Sequence, residues 1–211
     1  MSTKNDYDSV VYEIEKMSST TQLIVVSKTI DEPRLLPILL KKHIHFGENR
    51  VQEAQTKWPA LKRQFPGTQL HLIGPLQTNK VSDALAIFDF IHTLDREKLA
   101  LKLKDSAATT SLPQLFIQIN TGNEPQKSGI STHEADSFIN FCRLDLRLPV
   151  IGLMCIPPVD DSPTHHFKLL AELGKRHSLS ELSMGMSGDY KEAIACGSTY
   201  VRVGSAIFGA R

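Results

Sequence analysis

Eight short apolar runs, each separated from the next by a longer stretch of helical period, constrain this chain more than any other feature. The runs cover 23–27, 44–46, 70–73, 90–93, 115–119, 150–154, 181–184 and 200–203. The first, Leu23-Ile24-Val25-Val26-Ser27, is apolar at successive rather than alternate positions and reads as a strand covered on both faces, as in a parallel sheet between helices. Alternation of such runs with helical segments predicts parallel βα units, and eight units close a barrel. The expected fold class is α/β, a single (β/α)8 TIM-type barrel.

Helical punctuation lies between the runs. Pro33 suits a first helical turn, whereas Pro37 conflicts with a helix interior and either kinks the first turn or delays its start. Asn49, Thr78, Asp95 and Thr132 stand where helix N-caps are expected, and Gly197 stands where a helix closes. After the eighth run the chain reaches Arg211 within a few residues, too few for a helix in the usual place. The segment from about Asp6 to Met17 carries Val10, Val11, Ile14 and Met17 on one face. This helix precedes strand one and is expected to fill the gap in the outer ring. No repeat or Pro/Gly/Ser linker interrupts 1–211, which predicts one domain.

Composition narrows the class. With 211 residues, 41% of them hydrophobic and 22% charged, the chain can fill one core without staples. A formal charge of +1, with no stripe of Lys and Arg, argues against a dedicated nucleic-acid or membrane-surface binder. Cys142, Cys155 and Cys196 are widely spaced and odd in number, which suits reduced thiols. The residues from Met1 to Asp8 show no signal-peptide character, and no run approaches a membrane-spanning length. The expectation is a cytoplasmic protein, with sharing by mitochondria left open.

Lys28 follows the first apolar run, so it should emerge at the rim of the barrel core. An amine partly removed from water sheds its proton more readily than a solvated one, and a neutral amine attacks an aldehyde to give a Schiff base. A surface charge is the plainer role for a lysine. In barrels of this kind, sites form at the carboxyl ends of the strands, and phosphate often binds after strands seven and eight. Met184-Gly185-Met186-Ser187-Gly188-Asp189 and Gly204-Ser205 fall there. Small residues let the backbone approach an anion, although glycines also serve turns alone. On the eighth strand Tyr200, Arg202 and Gly204 share one face and Val201 and Val203 the other. If the valines meet the helices, Arg202 points inward and requires a partner: a carboxylate, a phosphate, a ring nitrogen, or a structural salt bridge.

Taken in order, LIVVSKT, HFGENRVQEA, LHLIGPLQTNK, IHTLDR, IQINTGNEPQKSGI, GLMCIPP and LSMGMSGDYKEAIACGSTYVRVGSAIFGAR resemble the YggS/PROSC family of pyridoxal-phosphate-binding proteins from about Leu23 to Arg211. The resemblance implies a single barrel similar to the amino-terminal domain of alanine racemase. It matches Lys28 to the lysine that carries pyridoxal 5'-phosphate as a Schiff base. Ser187, Gly188, Gly204 and Ser205 match phosphate-binding positions, and Arg202 matches the arginine facing the pyridine nitrogen. Asn49 and His71 match positions lining the cofactor pocket. Three positions depart from the pattern: Ile30 stands where a second lysine is frequent, Arg50 where Tyr is common, and Ser205 where Thr is common.

The resemblance implies a role in intracellular pyridoxal phosphate homeostasis and carriage, with pyridoxal-phosphate-dependent apo-enzymes as partners; with no second domain to build a racemase-like dimer, a monomer is expected. An arginine at a ring nitrogen keeps that nitrogen unprotonated and the electron sink weak. The strands and helices use all 211 residues, leaving none for a further domain that could supply a second acid/base. Weak racemisation or transamination is the alternative, with Tyr190, His71 and Cys155 as the candidate second acids. A Schiff-base aldolase on a sugar phosphate is a third reading, to which Arg202 contributes no evident role. His43 with His45 and His165 with His166 lack further ligands at metal spacing and are expected to be solvated or capping.

Overall fold

A computed structural model describes residues 6–209. In it β1 (Gln22–Val26), β2 (His45–Glu48), β3 (Gln69–Leu72), β4 (Phe90–Leu94), β5 (Gln114–Asn120), β7 (Val150–Cys155), β8 (Glu181–Met186) and β9 (Tyr200–Val203) pair in parallel, each with its neighbour in the chain. Pairing of β9 with β1, in a register that sets Arg202 beside Ile24, closes the barrel. The eight runs of the sequence are these eight strands. A ninth pairing, of the two-residue β6 (Ile130–Ser131) with the end of β5, extends the mouth at one point.

Helices cover the outside. α1 (Asp6–Met17) packs against α8 (Tyr190–Ala195) and the short α9 (Ser205–Phe208), so it fills the gap in the outer ring as the sequence predicts. Between these lie α2 (Glu32–Leu40), α3 (Val51–Gln64), α4 (Val81–Leu85), α5 (Glu97–Ser106), α6 (Ala135–Asn140) and α7 (Pro163–Arg176). Among the described residues no helix is long and apolar enough to cross a membrane.

Alternation along the strands separates two cores. One lies between sheet and helices and includes Val25, Phe46, Trp58, Ile117, Phe167, Val201 and Val203. The other is inside the barrel, where Phe90, Phe116 and Met154 pack with Tyr200. Val201 and Val203 do meet the helices, and Tyr200 and Arg202 turn inward.

Helix boundaries depart from the sequence reading. α2 starts at Glu32 and continues through Pro37, the sixth of its nine residues, whose missing N–H forgoes one intrahelical bond. Arg50 rather than Asn49 precedes α3, Arg96 rather than Asp95 precedes α5, and Glu134 rather than Thr132 precedes α6. Thr78 lies within a 3₁₀ turn, Thr78–Lys80, that leads into α4. Thr132 is drawn away by Asn123, whose Oδ1 accepts from its backbone N–H at 2.9 Å. Gly197 closes α8 at φ 90°, as expected.

Candidate functional site

A cleft of about 600 Å³ opens at the carboxyl ends of the strands. It gathers Lys28 and Asn49 from the first two strand ends, Ser187 and Gly188 from the turn after β8, and Arg202, Gly204 and Ser205 from β9 and the turn beyond it. Ile30, Ile73, Ile156 and Met186 give it apolar walls. Residues almost two hundred positions apart in sequence meet here because β9 pairs with β1.

Lys28 is half-buried in the turn between β1 and α2, and that turn is held from outside the barrel. Lys57 on α3 donates to the carbonyl oxygens of Ser27 at 2.8 Å and Ile30 at 3.0 Å. The Glu53 carboxylate accepts from the backbone N–H of Thr29, which sits at φ 60°. A β-branched residue in that region costs on the order of 1–2 kcal/mol, which these hydrogen bonds offset. Lys57 also pairs with Glu48 at 2.8 Å, and the fully buried Glu48 accepts from Ser27 Oγ at 2.7 Å and Trp58 Nε1 at 2.9 Å. Two carboxylates and one ammonium thus fix the main chain on both sides of Lys28. Sequence reading missed this clamp, although the Glu53/Lys57 spacing of four residues on a helix was a usable signal.

Across the cleft, Ser187 Oγ accepts from the backbone N–H groups of Gly204 at 3.2 Å and Ala206 at 3.3 Å. The two N–H groups hold the Ser187 hydroxyl in place and leave its own proton to donate to an oxyanion. The glycines here divide between two duties. Gly185 has φ 93°, and a Cβ on it would stand 2.5 Å from Ala193 Cβ, so it serves the turn. Gly188 lines the cleft, and nothing lies within 4 Å of where its Cβ would be.

Arg202 is 4% exposed on the cleft floor. Its Nη1 donates to Ser183 Oγ at 2.7 Å and its Nη2 to the Cys155 carbonyl at 3.0 Å. Burial lowers its pKa from the ordinary value. Asn49 borders the same space, and its buried Oδ1 has no hydrogen-bond partner among the described residues. A buried polar atom left in this way is ordinarily completed by a ligand or water. An amine, a cation and serine hydroxyls beside small residues, set in apolar walls, fit an aromatic aldehyde that carries a phosphate.

His71 is the one expected cofactor-pocket residue that does not border the cleft. It lies fully buried inside the barrel, stacked on Phe90 at 4.2 Å and hydrogen-bonded to His45 and His92. His43 and His45 are only partly exposed. His43 Nδ1 meets Tyr7 Oη at 3.0 Å, its Nε2 meets the His45 carbonyl, and burial pushes both histidines down to about 4. His165 and His166 sit in the first turn of α7 rather than in a loop. Among the described residues no group of three or more His, Cys, Asp and Glu is placed to hold a metal.

The other two candidate acids stand elsewhere. Tyr190 donates to Glu13 between α8 and α1, outside the barrel. Cys155 is fully buried, and burial pushes its thiol up to about 12. Arg34 was overlooked: it lines the cleft from α2, donates to the Phe208 carbonyl and lies 5.4 Å from the Phe208 ring. An arginine one position after a helix-starting proline gives no sequence signal for such a role.

Comparison with known proteins agrees with this geometry. The family described as alanine racemase, N-terminal domain, matches residues 7–211. The pyridoxal phosphate homeostasis protein of Vibrio cholerae is 41% identical over 97% of this chain and 91% of its own length. The protein of that name from Escherichia coli is 36% identical over 90% of this chain and 85% of its own. PipY of Synechococcus elongatus, solved with pyridoxal phosphate bound, superposes with a TM-score of 0.83 at 31% identity, covering 97% of this chain and all of PipY. Alanine racemase of Corynebacterium glutamicum, at 15% identity, shares the fold alone, with a TM-score of 0.71 over 62% of its length. Barrel and cleft together define a protein of the alanine racemase amino-terminal-domain class. Within that class the chain belongs to the pyridoxal phosphate homeostasis proteins.

Proposed function

We propose that this protein holds pyridoxal 5'-phosphate as a reversible Schiff base on Lys28, and that it buffers and carries the cofactor within the cytoplasm as a monomer. The observation that carries the reading is that Lys28, Arg202 and the Ser187–Gly188 and Gly204–Ser205 turns border one cleft. When bound, the cofactor supplies an aldehyde that condenses with a primary amine and a phosphate that needs several donors. Lys28 provides the amine, positioned by the Lys57–Glu48–Glu53 clamp. Ser187, Gly188, Gly204 and Ser205 provide the anion pocket, and Asn49 offers its uncompleted amide. Arg202, charged at all working pH values, disfavours a proton on any ring nitrogen set against it.

Carriage rather than turnover is the better reading, because stereochemical catalysis at such a centre calls for a second acid within reach of the reacting carbon. Tyr190, His71 and Cys155 all lie away from the cleft lining. The recipients are pyridoxal-phosphate-dependent apo-enzymes. Ile30, buried in the cleft wall, offers no amine for a hand-off at that position. Titrating the purified protein with pyridoxal phosphate tests the reading. A visible absorption band that is lost in Lys28→Ala and fixed by borohydride is expected, and turnover of an amino-acid panel by wild type but not Lys28→Ala would favour weak racemisation instead.

A further inference from the structure

Arg202 is a buried cation with no carboxylate within ion-pair distance among the described residues. Asp189 acts on it only through space. A buried guanidinium is ordinarily paired with an acid. Here a continuous file of side chains stands behind it. Ser183 Oγ, which receives the Arg202 Nη1–H bond, lies 2.8 Å from His92 Nδ1. His92 Nε2 lies 2.9 Å from His71 Nδ1, and His71 Nε2 lies 3.0 Å from His45 Nδ1. Ser183, His92 and His71 are fully buried. His45 is the first residue of β2 and is partly exposed, so the file runs from the cleft floor through the barrel interior to the opposite mouth. Stacking fixes two of the rings, His92 on Phe116 and His71 on Phe90, each at 4.2 Å.

The direction of the file follows from donor and acceptor rules. A guanidinium only donates, so Ser183 Oγ accepts from Arg202, and its single proton is best placed on the far side, toward His92 Nδ1. A neutral imidazole that accepts at Nδ1 carries its proton on Nε2 and donates with it. Applied in turn, the rule gives His92 Nε2–H to His71 Nδ1 and His71 Nε2–H to His45 Nδ1. Every dipole then has its negative end toward Arg202, and each bond polarises the next. The opposite order would aim the positive ends at a cation and make Ser183 Oγ accept from both neighbours. Burial drives His71 and His92 well below the ordinary pKa, which keeps both rings neutral.

We propose that Ser183, His92, His71 and His45 are positioning residues for Arg202: a proton-ordered file that stabilises the buried guanidinium where a carboxylate would otherwise stand, and links the cleft floor to the opposite mouth of the barrel. A carboxylate would cancel the charge that Arg202 presents to the cleft, whereas aligned dipoles leave it in force. The ordering stands on the hydrogen bonds and on burial that keeps the rings neutral, and its consequence for a ring nitrogen rests on the cofactor reading above.

Nitrogen-15 NMR of the imidazoles in the intact wild-type protein, at neutral pH without added cofactor, tests the file. His45, His71 and His92 are each expected neutral with the proton on Nε2. A proton on Nδ1 of His71 or His92, or an imidazolium at either, overturns the proposal. In Ser183→Ala, which deletes the hydroxyl and leaves the three rings, a changed tautomer population at His45 is expected. A change confined to His92 is what a merely structural role gives, and it overturns the link to the far mouth. Should that variant not fold, the wild-type tautomers decide. The cofactor reading fails separately, by absence of the absorption band from a protein whose tautomers are ordered as stated.

Discussion

The ammonium of Lys57 stands 2.8 Å from the fully buried carboxylate of Glu48, and from there it donates to the main chain on both sides of Lys28. A buried ion pair on α3 and β2 therefore sets the place of a side chain that belongs to neither. Breaking such a pair from one side leaves an uncompensated buried charge, which costs about 3–5 kcal/mol. Lys57→Ala is expected to lose stability on that scale in urea denaturation. Adding Glu48→Gln should recover part of the loss, because the amide oxygen still accepts from Ser27 and Trp58. Equal stability of wild type and Lys57→Ala would remove the clamp from the account.

The two glycines of the Ser183–Gly188 segment should separate fold from site. Gly185→Ala forces a Cβ to 2.5 Å from Ala193 Cβ at φ 93°, so a loss on the order of 2 kcal/mol or more is expected. Gly188→Ala meets nothing within 4 Å and should leave the melting temperature unchanged, yet weaken pyridoxal phosphate binding by crowding the anion pocket. Calorimetry and equilibrium titration of both variants check this, and unchanged binding in Gly188→Ala would count against the phosphate assignment.

Two buried histidines, His71 and His92, and two partly buried ones, His43 and His45, make stability depend on acid. Burial pushes His43 and His45 from the ordinary 6.5 down to about 4, and His71 and His92 well below 6.5. Between those values the unfolded chain binds more protons than the folded one, so stability is full above about pH 6.5 and falls as pH drops toward 4. The gap between 6.5 and about 4 is worth roughly 3 kcal/mol for each fully titrated histidine. The urea midpoint is expected to be lower at pH 5 than at pH 7, and less so in His43→Gln. Identical midpoints at the two pH values would contradict the buried, neutral state of these rings.

Most of the fold was legible because short strand-like runs rich in apolar residues alternate with stretches of helical period, as the βα units of a closed parallel barrel require. Helix starts were less legible. Side chains that can cap, such as Thr132, found other partners across a loop, and that competition is settled by tertiary contact. The inward turn of Arg202 followed from the period of a strand, with Val201 and Val203 as the contrast. The depth of His71 did not, because period tells which face a residue occupies but not how far along the barrel axis it sits. For the same reason the histidine file could not be seen: His45, His71, His92 and Ser183 come from four strands, and only the register of those strands brings them into line.

Borohydride reduction of the protein after incubation with pyridoxal phosphate, followed by peptide mapping, tests the central claim most directly. The account predicts a single phosphopyridoxyl group, on the peptide that contains Lys28, and none in Lys28→Ala. Modification at another lysine such as Lys57, or no stable adduct at all, would contradict it.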